Sequence, residues 1–515
     1  MISSLWLERP AAWRRVAAGA ILLLATLPAW PVLWQAIASR DVSTVGGTFF
    51  AALRNSVEIA AIVGVIAAAT GLPAGVTAAL YNFPGRSFLL SLAMLPLLVP
   101  SFLWAIGWSA LAAQIGPFAI QFIEGTTGCV LVFLASSIPL VALVSYCATL
   151  SVSGTQIEAA RLAGAERAVF CYACRYAAIP AGIAAVLAGV LTLSDPGPGQ
   201  ILGRRTAASE VLTSFASLFD FGLAGRQCAL LTLVVLLVAA PLAGVTASRF
   251  ASQILSQQTR PIFRISPRGL GRWMSIAFGG AMLCTVAAPL VGLLLPLTGG
   301  VEVGRAWTEL TRTSMNTLTY AVGAGLIATS LGFLMALLVG RDNHLRSVIL
   351  GAALAMFALP PSLGALGIVH VAANFPAWLD WLTRSRATVC IALGLRFLPL
   401  AILVGLRSWG TVSQTWTQAT ALHGVSLARY LSQVLLRHFA PAIGATVLIV
   451  GLLATAEIGT VLLIHPPGQS SLPLAIFTVM ANSPESLVSS LCLSYFLLAI
   501  AILASLSICT RGSKQ

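Results

Sequence analysis

The chain has 515 residues, of which 58% are hydrophobic and 9% are charged, and its mean hydropathy is +0.94. A soluble domain carries roughly a quarter charged residues, so this composition excludes a water-soluble globule and predicts a protein covered by lipid. The formal net charge of +14 would fit nucleic-acid binding as well as a membrane topology signal, and the distribution of the basic residues decides between them.

Apolar runs of about 20 residues, the length that crosses a ~30 Å hydrocarbon core as a helix, recur along the chain. They are continuously apolar rather than alternating, which favours helices over barrel strands. The sequence therefore predicts an all-α polytopic membrane protein with about 12 transmembrane helices, at 16–37, 56–80, 88–112, 127–149, 179–200, 228–248, 274–297, 317–339, 348–372, 388–408, 441–463 and 488–509.

The first run follows Arg14 and Arg15 and could be a secretory signal peptide. Its apolar stretch from Val16 to Ile37 is longer than the usual ~7–15 residue core of such a signal. We therefore interpret it as a retained span, with the N-terminus in the cytoplasm. On that topology 19 of the 29 basic residues lie on cytoplasmic segments, nine lie on outer segments and Arg396 lies within a span. This bias follows the positive-inside rule, so we predict no nucleic-acid partner.

A self-comparison indicates that one module occurs twice. When Asn55 is set on Asn316, Gly71 falls on Gly332, and prolines follow at 100 and 360. The predicted units are an N-terminal segment with the first span (1–53), a first module (54–248), a linker with the seventh span (249–311), a second module (312–508) and a tail (509–515). An even number of spans per half predicts that the two modules have the same orientation, with a path between them.

Two long segments predicted to be cytoplasmic, between spans four and five and between spans ten and eleven, are neither apolar nor of disordered composition. In each we expect a short helix of small residues that stops at a glycine, followed by a second helix at 165–176 or 425–438. Each has a polar residue six positions before the glycine, and the residues concerned are Glu158, Ala159, Ala160 and Gly164 in the first segment and Gln418, Ala419 and Gly424 in the second.

These paired segments resemble the EAA motif in the permease subunits of binding-protein-dependent ABC importers. The first copy keeps Glu-Ala-Ala and the glycine, whereas the second keeps the spacing but has Gln418 and Thr420 in place of the acid and one alanine. The resemblance implies a type-I importer permease fold in which each segment is a coupling helix on a separate ATP-binding cassette subunit. The exit proline lies 16 residues after Gly164 but 17 after Gly424 (Pro180, Pro441), which predicts a one-residue deletion in the first exit helix.

A P-loop ATPase needs a lysine within Gly-x-x-x-x-Gly-Lys-Ser/Thr. The chain has a single lysine, Lys514, which Gly512 and Ser513 precede, so no such motif is present and any ATPase must be a separate chain. The rival class is a secondary transporter driven by an ion gradient, which would use ionisable residues within the membrane. A membrane-embedded enzyme is disfavoured because no span holds a catalytic grouping, and we predict no cofactor and no metal site.

Two acids, Asp195 and Glu457, occupy similar places after the two segments and precede loop-forming sequence. A helix broken at membrane depth is tolerated where it lines a cavity, so we hypothesise that both acids face a translocation path. In the alternative interpretation each carboxylate is a structural acceptor for freed backbone amides.

The sequence is most similar to fused iron(III)-type permeases, with the strongest local likeness at 457–478 and a departure at 194–199. That resemblance implies a bacterial inner-membrane protein with both termini in the cytoplasm, two ATP-binding cassette partners and an external solute-binding protein. It implies iron(III) as the solute, and fused permeases for thiamine or phosphonates are the alternatives.

Overall fold

The computed structural model describes residues 12–38, 45–251, 265–267, 269–300, 302–373, 376, 378 and 380–512. Nearly all of these residues are helical, as the sequence predicts. Ten helices among them are long and apolar enough to cross a membrane, and two bent helix pairs raise the number to 12 if each pair is one span. The chain is thus a multi-pass α-helical membrane protein. Most of the predicted linker (252–264 and 268), residues 1–11 and Lys514 lie outside the described residues.

The helices of the first half surround a core that the two halves share. In chain order they are α1 (Ala12–Thr26), α2 (Trp30–Ala38), α3 (Gly47–Leu80), α4 (Arg86–Leu92), α5 (Leu95–Leu98), α6 (Ser101–Ile115), α7 (Pro117–Ile123), α8 (Thr126–Leu150), α9 (Gly154–Leu193), α10 (Gly197–Ile201), α11 (Ala207–Ala216) and α12 (Phe221–Phe250).

The second half repeats most of this order. Its helices are α13 (Gly269–Leu294), α14 (Val303–Val339), α15 (Asn343–Ala358), α16 (Pro361–Ala373), α17 (Asp380–Thr383), α18 (Arg386–Gly410), α19 (Gln414–Leu422), α20 (Leu427–Tyr430), α21 (Leu436–Ala456), α22 (Ile458–Ile464), α23 (Leu472–Val479) and α24 (Glu485–Gly512). The helices α3 and α14 begin at Gly47 and Val303, earlier than the predicted spans, because polar helical turns precede the apolar runs.

The third and ninth predicted spans are each two helices joined by a sharp bend. The chain turns by 102° between Arg86–Leu98 and Ser101–Ile115, and by 85° between α15 and α16. Each bend lies at the repeated proline, Pro100 or Pro360. The preceding residues, Val99 and Leu359, have ψ values of 137° and 144°, which is the extended conformation that a following proline favours.

Equivalent polar contacts hold the same loop in both halves. The side-chain amide of Asn55 donates to the carbonyl of Arg205, and that of Asn316 donates to the carbonyl of Ser470. The next hydroxyls, of Ser56 and Thr317, accept the first backbone N–H of α11 at 2.9 Å and of α23 at 2.8 Å. The asparagine repeat in the sequence therefore marks the place where a long helix, α3 or α14, anchors the loop that precedes α11 or α23.

The first helix of each half packs on the opposite half. The α1–α2 segment contacts α12 and the second-half helices α14 and α16, whereas α13 contacts α6 and α3 of the first half. Glycines at equivalent positions permit this close approach: a side chain at Gly107 would collide with Pro289 of α13, and one at Gly367 would collide with Pro28. The exchange ties the two halves together at two equivalent sites.

Candidate functional site

The broken helices of both halves meet around one central cavity of about 250 Å³. The bends at Pro100 and Pro361 line it, and so do the two predicted acids, Asp195 and Glu457. Both carboxylates are partly accessible to the cavity although they lie deep within the bundle. The structure thus brings together two residues that are 262 positions apart in the sequence.

Asp195 lies where α9 has ended and before α10 begins. Its Oδ1 accepts the backbone N–H of Gly197 at 2.9 Å, and its Oδ2 accepts the hydroxyl of Ser101 at 2.5 Å. An aspartate that accepts an N–H two residues later is typical of a turn that interrupts a helix. Since Ser101 is the first residue of α6, this carboxylate ties the end of α9 to the bend of the third span.

Glu457 has the corresponding position between α21 and α22. Its Oε1 accepts the backbone N–H of Thr460 at 3.2 Å and thereby caps the N-terminus of α22. Both acids therefore accept backbone amides, as in the structural alternative, and both also line the cavity.

Arg396 is the third charged group of the cavity. Its Nη1 donates to the carbonyls of Phe357 at 3.1 Å and Leu359 at 2.5 Å, with a longer contact of 3.4 Å to Met356. These carbonyls lie at the end of α15, where Pro360 and Pro361 supply no N–H groups. The guanidinium thus satisfies the broken helix end and places a positive charge that interacts with Glu457. The signal in the sequence was a lone arginine inside a span, since such residues are rare unless functional.

The two halves contribute unequal charge to the cavity. The first-half position equivalent to Arg396 is Ser136, which also lines the cavity and donates to the carbonyl of Phe133. Two carboxyl groups therefore face a single guanidinium, within walls rich in phenylalanine. Across the described ranges, no group of three or more His, Cys, Asp and Glu side chains could hold a metal ion. The lining of the cavity thus presents charged and hydrogen-bonding groups, without a preformed metal cage among the described residues.

The first predicted loop begins as expected but does not stop at its glycine. Ser153 caps α9 in a capping box with Gln156, and the helix then runs through Gly164 to Leu193 without a break. The prediction of a helix end at Gly164 and a separate helix from 165 is therefore wrong. The residues after the glycine, Ala165 and Glu166, are good helix formers, so one glycine is not enough to end the helix.

The second loop does end at its glycine. Gly424 has φ of +65°, and the N–H of Val425 bonds to the carbonyl of Thr420 at 2.9 Å, as in a Schellman cap. Ser426 then has the extended conformation of an N-cap and α20 follows it. Here the β-branched Val425 and a cap residue replace the two helix formers of the first loop, which explains the different outcome.

Both loops present the predicted side chains to the outside. Glu158, Ala159, Gln418 and Ala419 are exposed, as are Gly164 and Gly424, whereas Ala160 and its counterpart Thr420 are partly buried. The residue before each polar position, Ile157 or Thr417, is buried and fixes the helix to the bundle.

A leucine two positions before each glycine is almost fully exposed, Leu162 at 91% and Leu422 at 87%. Sequence reasoning did not single out this pair, although its equal distance from the two glycines was a usable signal.

The length difference between the two exit helices is absorbed in the second copy. Residues Leu431–Leu435 form a π-helical turn between α20 and α21. A π turn contains one more residue than an α turn because its hydrogen bonds run from i to i+5. This accounts for the 17 residues between Gly424 and Pro441 against 16 between Gly164 and Pro180, and so the first helix is regular and the second carries the additional residue.

Comparisons of the chain with protein-family models, with curated proteins and with solved structures found no match.

Proposed function

We propose that the chain is the membrane-spanning permease subunit of an ABC importer. The observation that carries this proposal is the pair of loops at equivalent positions of the two halves. Each is fixed to the bundle by a buried residue and exposes small residues together with a leucine next to the predicted EAA-type position. Single exposed leucines are ordinary. Two at the same position of a repeated loop, surrounded by alanines that let another surface approach closely, fit two copies of a docking partner.

The partner would be an ATP-binding cassette subunit on each loop, with the loops on the cytoplasmic side of a bacterial inner membrane. The 40 residues of α9 connect the first loop to the cavity without interruption, over about 60 Å at 1.5 Å per residue. A displacement of the loop by ATP binding would therefore move the wall next to Asp195. Hydrolysis would return it, which is the alternating access that an importer requires.

The solute in this proposal is a small molecule or ion handed over by an external binding protein, with iron(III) first and thiamine or a phosphonate as alternatives. Two carboxyl groups in the cavity favour a solute with positive charge, since opposite charges attract strongly where water is scarce. This supports iron(III) or thiamine over a phosphonate. The substitutions Asp195→Ala and Glu457→Ala, made together, should abolish uptake, and undiminished uptake would remove these residues from the path.

The test is solute uptake into proteoliposomes that contain the full chain and the ATPase subunits. The ATPase subunits and the external binding protein are produced from the genes that lie beside the gene of this chain. Uptake should require internal ATP and external binding protein, and it should persist when ion gradients are collapsed. The buried carboxylates also fit an ion-coupled secondary transporter. That class would show the reverse pattern, with uptake that ignores ATP and stops when the gradient is removed.

A further inference from the structure

A second cavity, of about 370 Å³, lies beside the central one. Its wall includes Ser109, Gln200 and Ser489, with small residues such as Ala110 and Ala113. Ser109 and Gln200 are exposed. This cavity therefore reaches the surface of the bundle, at loops that the sequence predicts to lie on the outer side.

The same three segments of the chain, α6, α10 and α23 with the residues that follow it, line both cavities. On α6 the residues at positions 101 and 102 face the central cavity and those at 106, 109, 110 and 113 face the second. Counted from position 102, these are steps of 4, 7, 8 and 11 residues along one face of a helix. The α10 and α23 segments pass from one cavity to the other in the same way, through residues 197 to 201 and 477 to 481. About one helical turn, roughly 6 Å, therefore separates the two cavities.

Two aromatic residues that line the central cavity lie three or four positions before residues that line the second one. Phe102 of α6 and Phe477 of α23 pack edge to face with ring centroids 5.6 Å apart, and Phe102 is 1% exposed. The contact joins the first half to the second and involves no hydrogen bond. A contact of this kind can open by side-chain rotation together with a small displacement of either helix, and α6 begins directly after the bend at Pro100.

The equivalent place on the other side of the molecule is built differently. The counterparts of the two phenylalanines are Ser362 and Leu212, and Ser362 is buried with its Oγ 3.4 Å from Cys228 Sγ. The counterparts of Ile106 and Met480 in the second cavity are Leu366 and Phe215, which pack in the hydrophobic core. The helices are thus arranged equivalently on the two sides, but the contact between two phenylalanine rings is made on one side.

We infer that the solute path is one-sided: it runs from the outer second cavity through a gate formed by Phe102 and Phe477 into the central cavity. This inference rests on the proposed transport function. Passage requires the two rings to part. Before the gate the solute meets polar and small side chains and the single carboxylate of Glu485. After the gate it meets the two carboxyl groups of the central cavity, so the gate separates the place where a solute arrives from the place where more of its charge is compensated.

The experiment measures how fast a cysteine in each cavity reacts with a membrane-impermeant, positively charged thiosulfonate added outside intact cells that make the full chain. Ser109→Cys reports on the second cavity and Ser136→Cys on the central one, and the chain without an introduced cysteine gives the background. We expect Ser109→Cys to react readily whether or not the two phenylalanines are replaced. Ser136→Cys should react about tenfold faster once Phe102→Ala and Phe477→Ala are added, a factor that corresponds to about 1.4 kcal/mol.

Leu212→Ala is the matched control, because it removes the apolar side chain equivalent to Phe477 on the other side. It should leave the rate at Ser136→Cys unchanged. Equal acceleration by Leu212→Ala, no acceleration by the phenylalanine variants, or protection of Ser109→Cys from the reagent would each overturn the gate. If the double alanine variant does not accumulate, Phe102→Leu and Phe477→Leu take its place and must still raise the rate.

The labelling needs neither ATPase nor solute, so the gate and the proposed function can fail separately. Accelerated labelling without ATP-dependent uptake would keep the gate and refute the importer. ATP-dependent uptake together with an unchanged labelling rate at Ser136→Cys would keep the importer and refute the gate.

Discussion

Truncation of Leu162 tests the docking role that we propose for the first loop. The side chain is 91% exposed, so Leu162→Ala removes almost no contact within the chain and should leave its thermal unfolding unchanged. If a partner groove buries this leucine, the complex loses the burial of one side chain, about 1.5–3 kcal/mol. At about 1.4 kcal/mol per tenfold change in affinity, docking should weaken roughly 10- to 100-fold.

The assay is a titration of purified ATPase subunits against the chain in nanodiscs, with binding and stimulated ATP hydrolysis measured together. Leu422→Ala should have a similar effect at the second loop. Leu218→Ala is a suitable control, because Leu218 is 62% exposed and lies on a loop predicted to be on the outer side. A Leu162→Ala variant that binds the ATPase as tightly as the parent chain, in a titration where Leu218→Ala also does, would refute the docking argument.

Three further predictions concern charge. Ala159→Glu or Ala419→Glu should uncouple ATP hydrolysis from uptake with the fold intact, since both sites are exposed; normal uptake by both variants would contradict the importer assignment. Arg396→Gln should lower the thermal unfolding midpoint and abolish uptake, because it leaves the carbonyls at the end of α15 with a weaker donor, at a cost of about 1.5–3 kcal/mol for charged hydrogen bonds; an unchanged midpoint would contradict this. Asp342→Ala should destabilise the chain by about 1 kcal/mol, as expected for an N-cap. Burial of Asp342 opposes ionisation, but backbone N–H groups and Arg15, at 3.0 Å, outweigh it and lower its pKa. The stabilisation is therefore present above the unfolded pKa of about 3.9 and lost as the pH falls through the lower folded pKa. The difference between the unfolding midpoints of the chain and of Asp342→Ala should stay constant from pH 6 to about pH 4 and shrink as the pH is lowered further.

The helical class could be predicted from composition alone, because apolar runs of span length admit few other structures. That Asp195 and Glu457 lie at the same cavity could also be predicted, because a repeat places equivalent residues at equivalent sites. The bends at Pro100 and Pro360 were harder to predict, since proline inside a long helix is often tolerated, as at Pro139 of α8 and Pro399 of α18.

Other features depend on long-range contacts that no local pattern encodes. The exchange of α1 and α13 between the halves is one, because each helix is equally apolar wherever it packs. The continuity of α9 through Gly164 has a local cause instead. There the choice between helix and turn depended on the two residues after the glycine rather than on the motif itself.

The single guanidinium of the central cavity has a consequence for how such a chain can evolve. In a homodimer every mutation appears on both sides of the twofold axis. An arginine at this depth would therefore be present in both subunits, and the two positive charges would repel each other. A duplicated and joined gene is free of that rule, and here it holds arginine at position 396 and serine at position 136. The covalent fusion of the two modules thus allows a residue to be used once, which no pair of identical subunits can do.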